Sequence, residues 1–70
     1  MSGNQHVLPH GEGWSVRRTG ASRASRVYKT QNEAIRAARG IAANQGTEVY
    51  IHDRDGRIRA KETPQAPKNK

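Results

Sequence analysis

The sequence predicts an α+β domain: one amphipathic helix packed on a small antiparallel β-sheet, in the order β-β-β-α-β-β. Three observations carry this prediction. Residues 14–18 (WSVRR) and 48–52 (EVYIH) alternate apolar and polar side chains with a period of two. Between them, residues 34–45 place apolar side chains three and four apart, the spacing of one helix face. Glycine-bearing turns at 10–13, 19–22 and 53–56 separate the pieces.

Residues 5–9 (QHVLP) read as a short strand, stopped by Pro9 and the following turn. In 14–18 the alternation sends Trp14 and Val16 inward and Ser15 and Arg17 outward. Residues 25–29 (SRVYK) form a third strand with Val27 inward and Arg26 and Tyr28 on the opposite face. The helix opens with a capping box, Thr30 to the amide of Glu33 and Glu33 back to the amide of Thr30. Ala34, Ile35, Ala38, Ile41, Ala42 and Gln45 fall on its packing face, and Gly46 ends it in the left-handed conformation. Gly40, costly within a helix, implies a close packing contact. Residues 48–52 return as a strand with Val49 and Ile51 inward and Tyr50 outward. A tight turn at 53–56 then leads to 57–59 (RIR), with Ile58 inward.

The folded part is small. One Leu, four Val, four Ile and no Phe leave Trp14 as the anchor of a thin core. Residues 1–5 and 62–70 contain no large aliphatic side chain, so they are expected to be disordered tails around a single domain at 6–61. The absence of cysteine excludes disulfides, thiolate metal sites and a cysteine nucleophile. No apolar run approaches the length of a membrane span and no charged-then-apolar leader opens the chain, which implies a cytoplasmic protein.

Three blocks of the chain, 6–9 with 13–16, 30–35 with Ala38, and 49–52 with 55–58, resemble the small bacterial domains of unknown function catalogued as family 2188. The resemblance covers residues 6–59 and implies a compact α+β domain. It supplies no catalytic residues to carry over. The arginine density between Arg17 and Lys29 exceeds what the family pattern demands, so a function tied to that stretch belongs to this chain.

Charge is the strongest chemical signal. The net charge is +7, and Arg17, Arg18, Arg23, Arg26 and Lys29 occupy thirteen residues without an intervening acid. If 14–29 forms a hairpin, these cations crowd one ribbon able to meet phosphates or a duplex groove, with Arg57 and Arg59 on a second strand. Tyr28 and Tyr50, out of phase with Val27 and with Val49 and Ile51, are expected to face away from the helix and offer stacking surfaces for unpaired bases. The expected function is therefore low-specificity binding of DNA or RNA. The alternative is an interaction module that pairs through a sheet edge, such as the 5–9 or 57–61 strand, to form a homodimer or engage an acidic protein. Nothing in the pattern points to a cofactor or to catalysis. The histidines lack metal-ligand spacing: His6 and His10 flank Pro9, and the acids after His52 suit a turn rather than a calcium loop.

Overall fold

The computed structural model describes residues 3–24 and 26–64. Five strands and one helix follow each other as β1 (Gln5–His10), β2 (Gly13–Arg18), β3 (Arg26–Tyr28), α1 (Gln31–Gln45), β4 (Val49–His52) and β5 (Ile58–Glu62). The element order matches the sequence expectation, and the strands form one sheet in the spatial order β3-β2-β1-β4-β5. Three of its four pairings are antiparallel, but β1 and β4 run parallel, so the sheet is mixed. The cause is topological. After the β1-β2-β3 meander the chain crosses through α1, and such a crossover returns the next strand beside β1 in the same direction.

That insertion makes β1 the central strand, bonded on both sides, so the 5–9 segment is not an open edge. The edges are β3, three residues long, and β5. The expected tails also begin later than their composition suggested. Gln5 is buried and its amide donates to the Glu48 carbonyl (2.9 Å), while the Asn4 side-chain oxygen accepts from the Glu48 amide (3.0 Å). At the other end Glu62 belongs to β5. The remainder of both expected tails, at 1–2 and 65–70, lies outside the described residues, as does Ser25 at the start of the third expected strand.

The core lies between α1 and one sheet face: Val7, Trp14, Val16, Val49 and Ile51 from the strands meet Ala34, Ala38 and Ala42 from the helix. These alanines are four apart and share one stripe. Lacking bulk, they let the helix backbone approach the valines closely. Ile35, Ala37 and Ile41 pack at the margins, whereas Gln45, expected on this face, is exposed. Thr30 caps the helix, its hydroxyl accepting from the Glu33 amide (3.1 Å), and Gly46 closes it at φ 70°. The return bond from the Thr30 amide to Glu33 is not formed among the described residues.

Two inward assignments are reversed. Val27 is 51% exposed, and Tyr28 instead packs against the core. The register pairs Tyr28 with Trp14 and Arg26 with Val16, so the helix side of this short edge strand takes the aromatic ring. A cross-strand Trp–Tyr pair buries more apolar surface than a valine there. Ile58 is 59% exposed because the β4–β5 ladder slips between Ile51 and His52. Ile51 opposes Ala60 while His52 opposes Ile58, leaving Arg59 as the extra residue of a bulge, which moves Ile58 to the outer face.

Arg54 joins the two ends of the sheet's rim. Its guanidinium donates to the Gly11 carbonyl (3.0 Å) and the Glu12 carbonyl (2.8 Å) and stands 4.7 Å from the Trp14 ring centroid. The 53–56 turn is thereby latched onto the β1–β2 turn, with a cation over the largest core side chain.

The glycines give a stability test. Gly40 is exposed, and a methyl group there would meet no atom within 4 Å, so the close contact expected of it is absent. Gly40→Ala should raise stability by about 1 kcal/mol through helix propensity alone. At Gly13 an added Cβ would lie 2.3 Å from the Tyr28 carbonyl oxygen, an impossible approach. Gly13→Ala should therefore separate β3 from β2 and lower the melting temperature sharply. Thermal denaturation followed by circular dichroism compares the two; similar melting temperatures for both variants would contradict this packing.

Candidate nucleic-acid interface

With α1 on one side, the other face of the sheet is uncovered. The strand registers arrange its side chains in two rows. Arg17, His6, Tyr50 and Lys61 oppose one another across β2, β1, β4 and β5. The second row runs from Val27 on β3 through Ser15 and Leu8 to His52 and Ile58. Tyr50 thus faces away from the helix, as its phase against Val49 and Ile51 requires.

The centre of this face is a chain of hydrogen bonds. His52, buried, bonds the Gly56 carbonyl through Nδ1 (3.0 Å) and meets His6 Nδ1 through Nε2 (3.1 Å). His6 Nε2 lies 2.8 Å from the Thr19 hydroxyl, which is 3.2 Å from the Asn4 carbonyl. A carbonyl only accepts, so His52 carries its proton on Nδ1, and its Nε2 accepts from His6 Nδ1–H. With His6 neutral, its Nε2 and the Asn4 carbonyl both face the single Thr19 hydroxyl proton, which only one of them can receive. Two fully protonated rings would set N–H against N–H, so the pair has room for one added proton. The His6 ring also stacks on Tyr50, with centroids 5.2 Å apart and planes 24° from parallel. Burial holds the His6 imidazole below the usual histidine range, and neighbouring His52 and Arg17 push it the same way.

The cations divide into two groups. Arg39 clasps Glu62 with two bonds (2.6 and 2.8 Å), which raises the arginine pKa and holds the carboxyl below its usual range. Arg59 donates to the Gln31 side chain (3.0 Å), whose amide nitrogen bonds the His52 carbonyl (3.0 Å), tying the bulge to the start of the helix. Arg54 holds the turns, and Lys61 lies 4.0 Å from Glu48. In contrast, Arg17, Arg18, Arg23, Arg26 and Lys29 make no side-chain hydrogen bond or ion pair among the described residues, and neither does Arg57.

The free cations do not share one face. Arg17 belongs to the outer face, whereas the pairing of Val16 with Arg26 puts Arg26, and Arg18 two residues beyond Val16, on the helix side. Both sides converge at the corner where β2 ends and residues 19–24 begin. From this corner Arg17 and Arg23 line one shallow groove, about 510 Å³ in volume, that runs along Ser15, Leu8, Pro9 and His10 toward the β1–β2 turn. A neighbouring depression between Arg17, Arg18, Thr19 and His6 adjoins the histidine pair.

Of the residues singled out in the sequence, Arg17 and Arg23 are therefore brought together, with Arg18 and Arg26 at the same corner. Tyr28 is withdrawn into the core margin and does not offer the free ring expected of it. Arg59 is engaged in the fold, and Arg57 stands apart in the β4–β5 turn. The histidine pair and its stack on Tyr50 were missed. The only sequence signal was the even phase of His6 opposite Val7, which marks an outer-face position but not its neighbour.

These features define a class: a small α+β domain with one sheet face closed by a helix, the opposite face left open, and arginines without internal partners among the described residues gathered beside the end of β2. The chain belongs to the bacterial family described as "Uncharacterized protein conserved in bacteria (DUF2188)", whose model matches residues 5–63. It is 44% identical over 61 residues to the uncharacterized protein YdaT of Bacillus subtilis (strain 168), a match covering 87% of this chain and 41% of that protein. The chain thus spans about two-fifths of the length of that curated relative. No solved structure matches significantly. Among the described residues no helix is long and apolar enough to cross a membrane, and no three His, Cys, Asp or Glu side chains converge as a metal site would need.

The depressed His6 pKa fixes the sign of a pH effect. The unfolded chain takes up this proton near the ordinary value of 6.5, before the folded protein does. Stability is thus full above that value and falls as the pH drops through it toward the lower folded pKa. The denaturant midpoint should be lower at pH 5.5 than at pH 7.5, and His6→Gln should shrink the difference. Equal wild-type midpoints at both pH values would contradict the desolvation of His6.

Proposed function

We propose that this domain is a low-specificity nucleic-acid-binding module that grips phosphates at the corner formed by Arg17, Arg23, Arg18 and Arg26. The observation that carries this reading is the division of the arginines. Those at 39, 54 and 59 are consumed by contacts within the fold, while the run from Arg17 to Lys29 has no internal partner among the described residues. Guanidinium groups held near one another and unneutralised repel in the free protein, and a polyanion relieves that repulsion while releasing its own counterions. The net charge of +7 acts in the same direction at longer range, speeding encounter with a polyanion.

Specificity is low on this reading because phosphate contacts position a ligand without reading its sequence. The role is binding, with no catalytic step. Pairing through a sheet edge is the weaker reading. The β3 edge is three residues long with Arg26 on it and Lys29 just after, and β5 bears Arg59 and Lys61, so two such edges would meet with like charges.

Fluorescence anisotropy with a labelled oligonucleotide across a salt series tests the proposal. Engagement of the free cations should give micromolar or tighter binding at low salt and a log–log salt slope of about 3. Arg17→Glu should weaken binding at least tenfold and reduce the slope by about 1. Arg36→Glu, which changes the net charge equally but lies on the helix, should have a much smaller effect. Equal losses for the two variants would mean that net charge alone acts, and the corner would not be the site.

A further inference from the structure

Resting on that reading, we infer that the ligand of this face is a single strand, its phosphates on Arg17 and Arg23 and an unpaired base added to the His6–Tyr50 stack. Two properties of the sheet lead there. The first is steric. A duplex groove was an attractive destination for a free two-stranded ribbon, but β2 is bonded on both sides, to β1 and to β3. The arginine-bearing strand is therefore part of a five-stranded face. At about 4.8 Å per strand that face is roughly 19 Å across, wider than the ~12 Å major groove. The face lies across a strand rather than inside a groove.

The second property is chemical. A duplex shows a protein approaching from outside chiefly its phosphates, whereas this face offers much that phosphates cannot use. Two half-buried rings are already stacked on the open face, in a row that continues to Arg17 beyond His6 and to Lys61 beyond Tyr50. Leu8 and Pro9 line the groove between Arg17 and Arg23. Val27 and Ile58, the two exposed large hydrophobic residues of the described chain, both lie on this side. The π-face common to all bases suits such a surface whatever the sequence. Charge sets the polarity across the sheet. Glu48 accepts from the Tyr50 hydroxyl (3.2 Å) and lies 4.0 Å from Lys61, so charge on the β5 side is locally balanced, while on the β2 side Arg17 and Arg23 stand unpaired among the described residues and attract phosphate. The backbone follows the arginines and the bases point inward, toward β1 and β4.

Three probes of similar length separate the possibilities: a twelve-nucleotide oligothymidylate, the same backbone without bases, and a twelve-base-pair duplex. The oligothymidylate should bind at least tenfold tighter than either of the others, although the duplex carries twice its phosphates. Tyr50→Leu should weaken oligothymidylate binding about tenfold and leave the abasic strand unaffected, and Tyr50→Phe, which keeps the ring, should restore it. Binding of the abasic strand or the duplex as tightly as oligothymidylate would overturn the single-strand assignment while leaving phosphate gripping intact. Binding of none of the three would overturn both. The probe comparison uses the wild-type protein, so it decides the matter even if Tyr50→Leu does not fold.

Discussion

The contact of an alanine stripe with a valine-rich sheet governs the rest of this structure. Ala34, Ala38 and Ala42 are fully buried against Val7, Val16 and Val49. Side chains this small let one helix of about 22 Å seat closely enough to exclude water from a core with few large residues. Among the described residues no second helix covers the other side. Every strand must therefore present one apolar face and one that tolerates water, and the second face is where polar chemistry accumulates. The distribution of His6, Arg17, Tyr50 and His52 follows from that constraint.

The same constraint explains how the arginines are used. Where layers or turns must be joined without apolar mass, the fold uses a guanidinium: Arg54 across two turns and over Trp14, Arg59 from the bulge to the helix, Arg39 to the last strand. The exposed Arg39–Glu62 pair contributes little to stability, while Arg54 also shields an aromatic ring. Among the described residues no carboxylate pairs with the run from Arg17 to Lys29. Leaving like charges together lowers stability slightly, which a fold with so thin a core tolerates only in a small region.

Much of the architecture was legible in the sequence because it is written in local chemistry. Thr30 and Gly46 bracket the helix by capping, the four-residue alanine spacing marks its buried face, and Val49 and Ile51 mark theirs. What failed were the features decided by partners. Val27 and Ile58 look like inward residues, yet Tyr28 outcompetes Val27 through its pairing with Trp14, and the bulge at Arg59 inverts Ile58. The parallel β1–β4 contact depends on where the crossover lands, a long-range outcome. For the site, the arginine run is visible as composition, but its split between two faces needs the register. The His6–His52 bond joins residues forty-six apart in the chain, and no local pattern announces it.

On the proposed reading the helix-packed core carries stability, while the open face and the arginine corner beside it carry ligand. Nuclear magnetic resonance shift mapping tests it most directly, with a single-stranded oligonucleotide titrated into uniformly labelled protein. Signals of His6, Arg17, Arg23 and Tyr50 should move together and saturate, while those of the helix from Gln31 to Gln45 stay in place. Shifts concentrated on the helix around Arg36, or no shifts at low salt, would contradict it.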